Sequence, residues 1–390
     1  MRKLLKSYKT EIAPTEEQKV KILKTIGTCR FIYNFYLAHN RELHDKGEKF
    51  LSSTKFRVWL NNEYLPQHTE YSWIKEAYSK AVTQSVGNAQ MAFKRFFDHK
   101  SAFPRFKKKG KSEAKMYFVR NNPTDCRCER HKVNIPSLGW VRIKEKGYLP
   151  TTKSGCVIRS GTVSVRAGKF YVSVLVVNCT KINDDRTFSE GIGIDLGLKN
   201  FAIVSTGKAY KNINKSAKHQ KISRQLVRAQ RSLSRKYEAM KTKKGETAQR
   251  ANIQKQKLKV QKLYQRIDNI QTDYINKTIA EIVKAKPSYI TIEDLNVKGM
   301  MKNKHLSKAI AFQKFYEFRK RLLAKCKENG IELRIADRWY PSSKICHCCG
   351  TVKKSLRLSD RVFVCDCGYI EDRDLNAALN LKDAATYRIA

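Results

Sequence analysis

The chain has 390 residues, enough for two to four domains. It carries 80 Lys and Arg against 35 Asp and Glu, a formal net charge of +45, and a folded protein so basic needs a polyanion to offset its self-repulsion. With 41% hydrophobic and 10% aromatic residues it can bury real cores, which excludes wholesale disorder. Apolar runs such as 171–177 fall far short of the roughly 18 residues of a spanning helix, and residues 1–8 hold no apolar signal core. The expectation is a soluble intracellular nucleic-acid binder with no membrane partner.

The first dozen residues alternate as a strand, with Tyr8, Thr10 and Ile12 on one face. Thr15 followed by Glu16, Glu17 and Gln18 marks a helix start with a capping box. Two more helical stretches are expected, at 29–37 and at about 74–97. The second has Ile74, Ala77, Tyr78, Ala81, Val82, Val86, Ala89, Phe93 and Phe96 on one stripe. Its opposite face offers Lys80, Thr83, Gln84, Gly87 and Lys94 to a groove or a phosphate. The loop Phe103-Pro-Arg-Phe-Lys-Lys-Lys-Gly-Lys111, with Arg105 and Lys107, reads as a phosphate contact or as a solvated basic face. From 116 to 177 the texture turns to short alternating strands, which suggests a small barrel.

A polar linker is expected at 181–190. Beyond it, 191–205 reads as two strands joined by a tight turn. Residues 208–262 hold 18 Lys and Arg against two acids. The apolar seams Ile222, Leu226, Ala229, Leu233, Tyr237 and Val260, Leu263, Ile267, Ile270, Tyr274 predict an antiparallel helical hairpin with a basic exterior, where Lys236 and Lys243 would meet nucleic acid. A strand at 288–293, a helix through Phe312, Phe315, Phe318 and Leu322, a strand at 331–336 and a last helix from Asp374 complete an α/β order.

Three acids stand out by position. Asp195 sits amid the apolar strand 193–197 and Glu293 ends a second, where a carboxylate is costly unless paired, hydrogen-bonded or metal-bound. Asp374 begins the last helix, where an N-cap is the plain alternative. Converging at one sheet edge, the three could hold two Mg²⁺ ions about 4 Å apart, able to hydrolyse a phosphodiester. Of 11 cysteines, five fall between Cys346 and Cys367. Cys346, Cys349, Cys365 and Cys367 form two knuckles suited to a structural Zn²⁺, with Cys348 competing for the place of Cys349.

Gly-Ile-Asp-Leu-Gly at 193–197, Ile-Glu-Asp-Leu-Asn-Val-Lys-Gly-Met at 292–300 and Asp-Arg-Asp-Leu-Asn-Ala-Ala at 372–378, with the cysteine knuckles before the last, resemble the TnpB (OrfB) family. These are transposon-encoded RNA-guided nucleases related to type V CRISPR effectors, and residues 103–109 also resemble the family's N-terminal half. The resemblance implies a RuvC-like RNase H-fold α/β nuclease domain at 191–336 and 370–390, with an inserted zinc ribbon at 337–369. It implies a wedge-like β-barrel at 1–12 and 115–180, with an inserted helical recognition domain at 13–114. By the same resemblance Asp195, Glu293 and Asp374 are catalytic, Asp372 being the rival for the third place. The implied partners are a guide RNA and a target DNA, in the cytoplasm and on the nucleoid of a prokaryote. A nuclease-inactive guided repressor and a strand-transfer transposase are the alternatives.

Overall fold

The computed structural model describes residues 4–110, 115–122, 124–152, 155–178, 187–242, 247–357 and 360–390. Residues 181–186 of the expected linker, and Lys111, Lys243 and Lys244, lie outside the described residues. The chain divides into two compact units, Met1–Lys181 and Ile182–Ala390.

In the first unit, β1 (Leu4–Ala13) leads into α1 (Glu16–Asp45). The capping box at Thr15 is present: the Gln18 amide donates to Thr15 Oγ1, and Thr15 N–H donates to Gln18 Oε1 at 3.0 Å. The two helical stretches expected at 15 and 29 are one helix of 30 residues. Thr28 satisfies its hydroxyl on the Lys24 carbonyl, 3.1 Å, so the polar residues before Cys29 do not interrupt it. Next come α2 (Ser53–Trp59), a π-helical turn (Leu60–Tyr64), the single turn α3 (Leu65–Gln67), a 3-10 stretch (Thr69–Glu76) and α4 (Ser79–Phe97). The helix expected from Ile74 therefore starts at Ser79, because Ala77 is extended at ψ 151°. Ile74 and Ala77 are buried all the same. The helices close on an aromatic cluster in which the Tyr36 and Phe56 rings meet edge to face at 5.1 Å.

Five further strands follow: β2 (Met116–Val119), β3 (Lys132–Ile135), β4 (Gly139–Ile143), β5 (Val157–Arg166) and β6 (Lys169–Asn178). They form an antiparallel sheet with β1 in the order β2-β5-β6-β1-β4-β3. Alternate residues enter the core, as Val133 and Ile135 do in β3. Gln18 at the start of α1 donates to the Leu138 and Trp140 carbonyls, 3.0 Å each, and ties the helix to β4.

The second unit runs β7 (Ile192–Leu196), β8 (Asn200–Val204), β9 (Ala209–Lys211), α5 (Ala217–Thr242), α6 (Thr247–Lys284), β10 (Tyr289–Ile292), α7 (Val297–Met300), α8 (Ser307–Gln313), α9 (Phe315–Asn329), β11 (Glu332–Ala336), β12 (Val362–Val364), β13 (Ile370–Asp372), α10 (Arg373–Lys382) and β14 (Tyr387–Ile389). Its main sheet has the order β14-β11-β10-β7-β8-β9, with β7, β10 and β11 parallel. The helical hairpin closes on Ile222, Leu226, Ala229, Val260 and Ile267. Tyr237, expected in that seam, is 38% exposed, and Tyr274 packs against the sheet core instead. The single helix expected through Phe312 and Phe315 is broken between them, since Lys314 is left-handed at φ 54°. Its ammonium pairs with Asp268 on α6, which holds a lysine in a conformation that usually favours glycine.

Candidate active site and cysteine cluster

Sheet register brings the first two acids together. Ile292 of β10 lies opposite Ile194 of β7 in a parallel ladder, so Glu293 and Asp195 leave adjacent strands at the same end, one strand spacing of about 4.8 Å apart. That end is where ligands bind in open α/β sheets. Both carboxyl groups are half-buried.

The third acid arrives on α10, which crosses directly over β7. A Cβ on Gly193 would fall 2.0 Å from the Ala378 carbonyl oxygen and 2.4 Å from the Lys382 nitrogen. Glycine is what allows this approach. The residue capping α10 is Asp372, whose Oδ1 accepts the Asp374 and Leu375 amides at 3.0 and 3.2 Å. Asp374 is therefore not the N-cap but lies inside the first turn.

The charges of the three acids act on one another. Burial, then the neighbouring Glu293 and Asp374 charges, raise Asp195 well above the usual carboxylate range, with Arg373 pulling partly back. Burial also raises Glu293. The hydrogen bond from Ser342 opposes that rise, and the Asp374 charge adds to it. Two carboxylates at adjacent strand ends do not both ionise comfortably without a cation beside them. Their oxygens are the hard donors Mg²⁺ takes.

Sequence reasoning missed the residues that hold this edge in place. Ser342 Oγ donates to Glu293 Oε1 at 2.7 Å. Asn380, 4% exposed, donates to the carbonyls of Ser342 and Ile345, both at 2.8 Å. Asn376, wholly buried, donates to Ile345 O at 2.8 Å and accepts from the His347 amide at 3.1 Å. Two asparagines four apart on the apolar face of the last helix were the available signal. Buried amides there need partners, and these partners lie in the segment entering the cysteine knuckles.

The sulfurs of Cys346, Cys349, Cys365 and Cys367 all lie within 4.8 Å of one another. Cys346 and Cys367 are 3.7 Å apart, and Cys349 and Cys365 3.6 Å. Those spacings are far too long for disulfides and match the edge of a tetrahedron with Zn–S bonds of about 2.3 Å. Hydrogen bonds with Thr351 and the neighbouring Cys367 and Cys346 sulfurs pull the Cys349 thiol down to about 6. Exposed Cys348 stands outside the four. Gly350 (φ 74°) and Gly368 (φ 88°) make the left-handed turns of the two knuckles.

The expected nucleic-acid residues do not share one surface chemistry. Lys80 and Arg105 are exposed. Thr83 spends its hydroxyl on the Ser79 carbonyl at 2.9 Å, and Gln84 donates to Asn88 at 3.1 Å. Gln84 lines a cavity of about 340 Å³ together with Lys107, Lys115 and Tyr117. Lys107 is held within the chain. Asn34 holds its backbone at both N–H and C=O, and its ammonium lies 3.6 Å from the Tyr33 ring centroid. Burial holds that ammonium below its ordinary value. Lys236 is half-buried on α5.

Three family models match: a "Helix-turn-helix domain" over residues 1–49, a "Probable transposase" over 175–304 and a "Cas12f1-like, TNB domain" over 315–381. In this chain the first match covers β1 and the unbroken α1. A Streptomyces pristinaespiralis protein named "Putative RNA-guided DNA endonuclease" is 32% identical, over 98% of this chain and 89% of its own length. Another of the same description from Escherichia coli K12, InsQ, is 31% identical, over 97% and 92%. The fold is similar to that of Cas12f1 solved with a single guide RNA and target DNA, with a TM-score of 0.54 over 97% of this chain and 99% of that one, at 15% identity.

Proposed function

The chain belongs to the TnpB (OrfB) family, and from that membership and the acid cluster we propose that it is an RNA-guided DNA endonuclease cutting at Asp195, Glu293 and Asp374. The observation that carries the reading is the pair of acids in register on β7 and β10, with α10 laid across Gly193 to deliver the third. The order β9-β8-β7-β10-β11, three antiparallel strands followed by two parallel ones, supports a RuvC-like RNase H fold. The N-terminal sheet and its helices would be the wedge and recognition parts.

The carboxylates fit Mg²⁺ by donor type and by the burial and neighbouring charge that raise Asp195 and Glu293. Two such ions, when bound, supply a polarised phosphodiester, an activated water and a stabilised leaving oxygen. The chain's own residues do the positioning. Asp195 and Glu293 present oxygens from rigid strand ends, Ser342 fixes the rotamer of Glu293, and the Asp372 cap aims the first turn that carries Asp374. The four thiolates fit a structural Zn²⁺ that stiffens the ribbon from which Ser342 enters. A guide RNA would neutralise part of the +45 charge and read the target by base pairing. A binding-only repressor would have no use for two carboxyls raised by burial and by acidic neighbours at one edge.

The test is guided cleavage by variants whose complex assembly is measured separately. Asp195→Ala, Glu293→Ala and Asp374→Ala should each lose cutting while guide and target binding persist. Asp372→Ala should keep substantial cutting and lose about 1 kcal/mol of stability with its cap. Cutting by Asp374→Ala, with Asp372→Ala inactive, would move the third ligand to Asp372.

A further inference from the structure

Asp195 stands where its strand is about to turn. The parallel register of β7 with β10 runs from Ile192 to Ile194, one residue short of the acid. On the other side the pairing with β8 closes at Leu196 and Ala202. Beyond lies the turn 197–199, whose Gly197 N–H donates to the Phe201 carbonyl at 3.3 Å. The place of the Asp195 carboxylate thus depends on how firmly this turn is held.

Two side-chain amides grip its carbonyls. Gln313 donates to Gly197 O at 3.1 Å and Asn212 to Leu198 O at 2.8 Å. Gln313 is 2% exposed, at the last position of α8, and an amide buried so deeply is costly unless it is hydrogen-bonded. Its Oε1 accepts from Asn214 at 3.2 Å, and Asn214 Oδ1 accepts in turn from Gln271 on α6 at 2.8 Å. Asn214 and Gln271 also donate to the Phe312 carbonyl, 3.1 Å each, one of those that the end of α8 leaves open. Three amides therefore run head to tail, donor to acceptor, from a 38-residue helix to the turn behind Asp195. A methionine would fill the volume of Gln313, but only an amide can hold a carbonyl at one end while being aimed from the other.

We propose that Gln313, aimed by Asn214 and Gln271, is a positioning residue for cutting: it fixes the turn after β7 so that the Asp195 carboxylate keeps its place beside Glu293. Gln313 acts through the backbone of the turn and not on the substrate. This role rests on the nuclease reading of Asp195.

The test uses the full-length protein loaded with guide RNA. Single-turnover cutting is measured at saturating target, and target affinity and melting temperature are read separately in buffer without Mg²⁺. Gln313→Met keeps the length of the side chain and loses the amide. It should cut about 100-fold more slowly, the cost of a displacement of about 1 Å at reacting groups, while target affinity stays as in wild type. Asn214→Leu should slow cutting too, and the double variant should be no slower than Gln313→Met, because both act through one carbonyl. Three results would each overturn the role and leave the acid site standing: cutting by Gln313→Met at the wild-type rate, a loss matched by an equal loss of target affinity, or losses that multiply in the double variant. Should Gln313→Met melt below the assay temperature, Gln271→Met and its double with Asn214→Leu are read by the same criteria. Cutting by Asp195→Ala would instead overturn the acid site, and the role of Gln313 with it.

Discussion

Two positions separate Asp372 from Asp374, and the start of α10 divides their work. Asp372 gives its oxygen to the first free amides of the helix, while the charge of Asp374 bears on Asp195 and Glu293. The raised pKa of Asp195 carries a stability consequence. A carboxyl whose folded value lies above its unfolded one favours folding only while protonated, and that contribution is lost as pH rises through the folded value. Above that folded value, without metal, ionised Asp195 thus works against the fold. Asp195→Asn should melt higher than wild type in buffer without Mg²⁺, by roughly 2–4 °C for each kcal/mol relieved, and Mg²⁺ should raise the melting temperature of wild type alone. A variant that melts at or below wild type without Mg²⁺ would contradict the cluster. Asp195 and Glu293 were legible in the sequence because each breaks an apolar strand. Ser342 and Asn380 were not. A serine and an asparagine have no pattern of their own, and they matter only because a long-range contact brings them to Glu293.

Helices and strands were legible where periodicity is long and illegible where a tertiary contact overrides it. The alternation of β3 to β6 and the capping box of α1 could be read directly. The break between α8 and α9 could not, since Lys314 is left-handed there and its ammonium pairs with Asp268 on α6, a long-range contact. Nor could the joining of two expected helices into α1, where the Thr28 hydroxyl turns back onto the Lys24 carbonyl. The crossing of α10 over β7 was half legible: the glycine was visible, but not what presses against it. Gly193→Ala would place a methyl group against backbone atoms that no rotamer change can move aside. The helix must shift, and a displacement of even 1 Å at reacting groups costs about 100-fold in rate. This variant should cut about 100-fold more slowly with every acid present and zinc content unchanged. Gly87→Ala on α4, with nothing within 4 Å of the new methyl, should cut as wild type does. Equal cutting by both variants would mean that α10 is not held against β7.

At the scale of the whole molecule the charge was the plainest signal, and it reports partners, not fold. On the proposed reading the sheet of the second unit supplies the cutting edge, and the segment that carries Ser342 is held to the last helix by Asn380 and runs on into the cysteine cluster. The expected basic contacts were least legible, because a lysine's role depends on what surrounds it: Lys107 proves to be pinned over Tyr33, whereas Arg105 stands in solvent. Guided cutting at the acid cluster is the claim that joins these parts. The most direct measurement is cleavage of two plasmids that differ only in the target segment, by protein loaded with a guide matching one and then the other. The cut should move with the guide, disappear without RNA, and vanish in Asp195→Ala whichever guide is loaded. A cut that stays in place when the guide is exchanged, or that survives in Asp195→Ala, would contradict it.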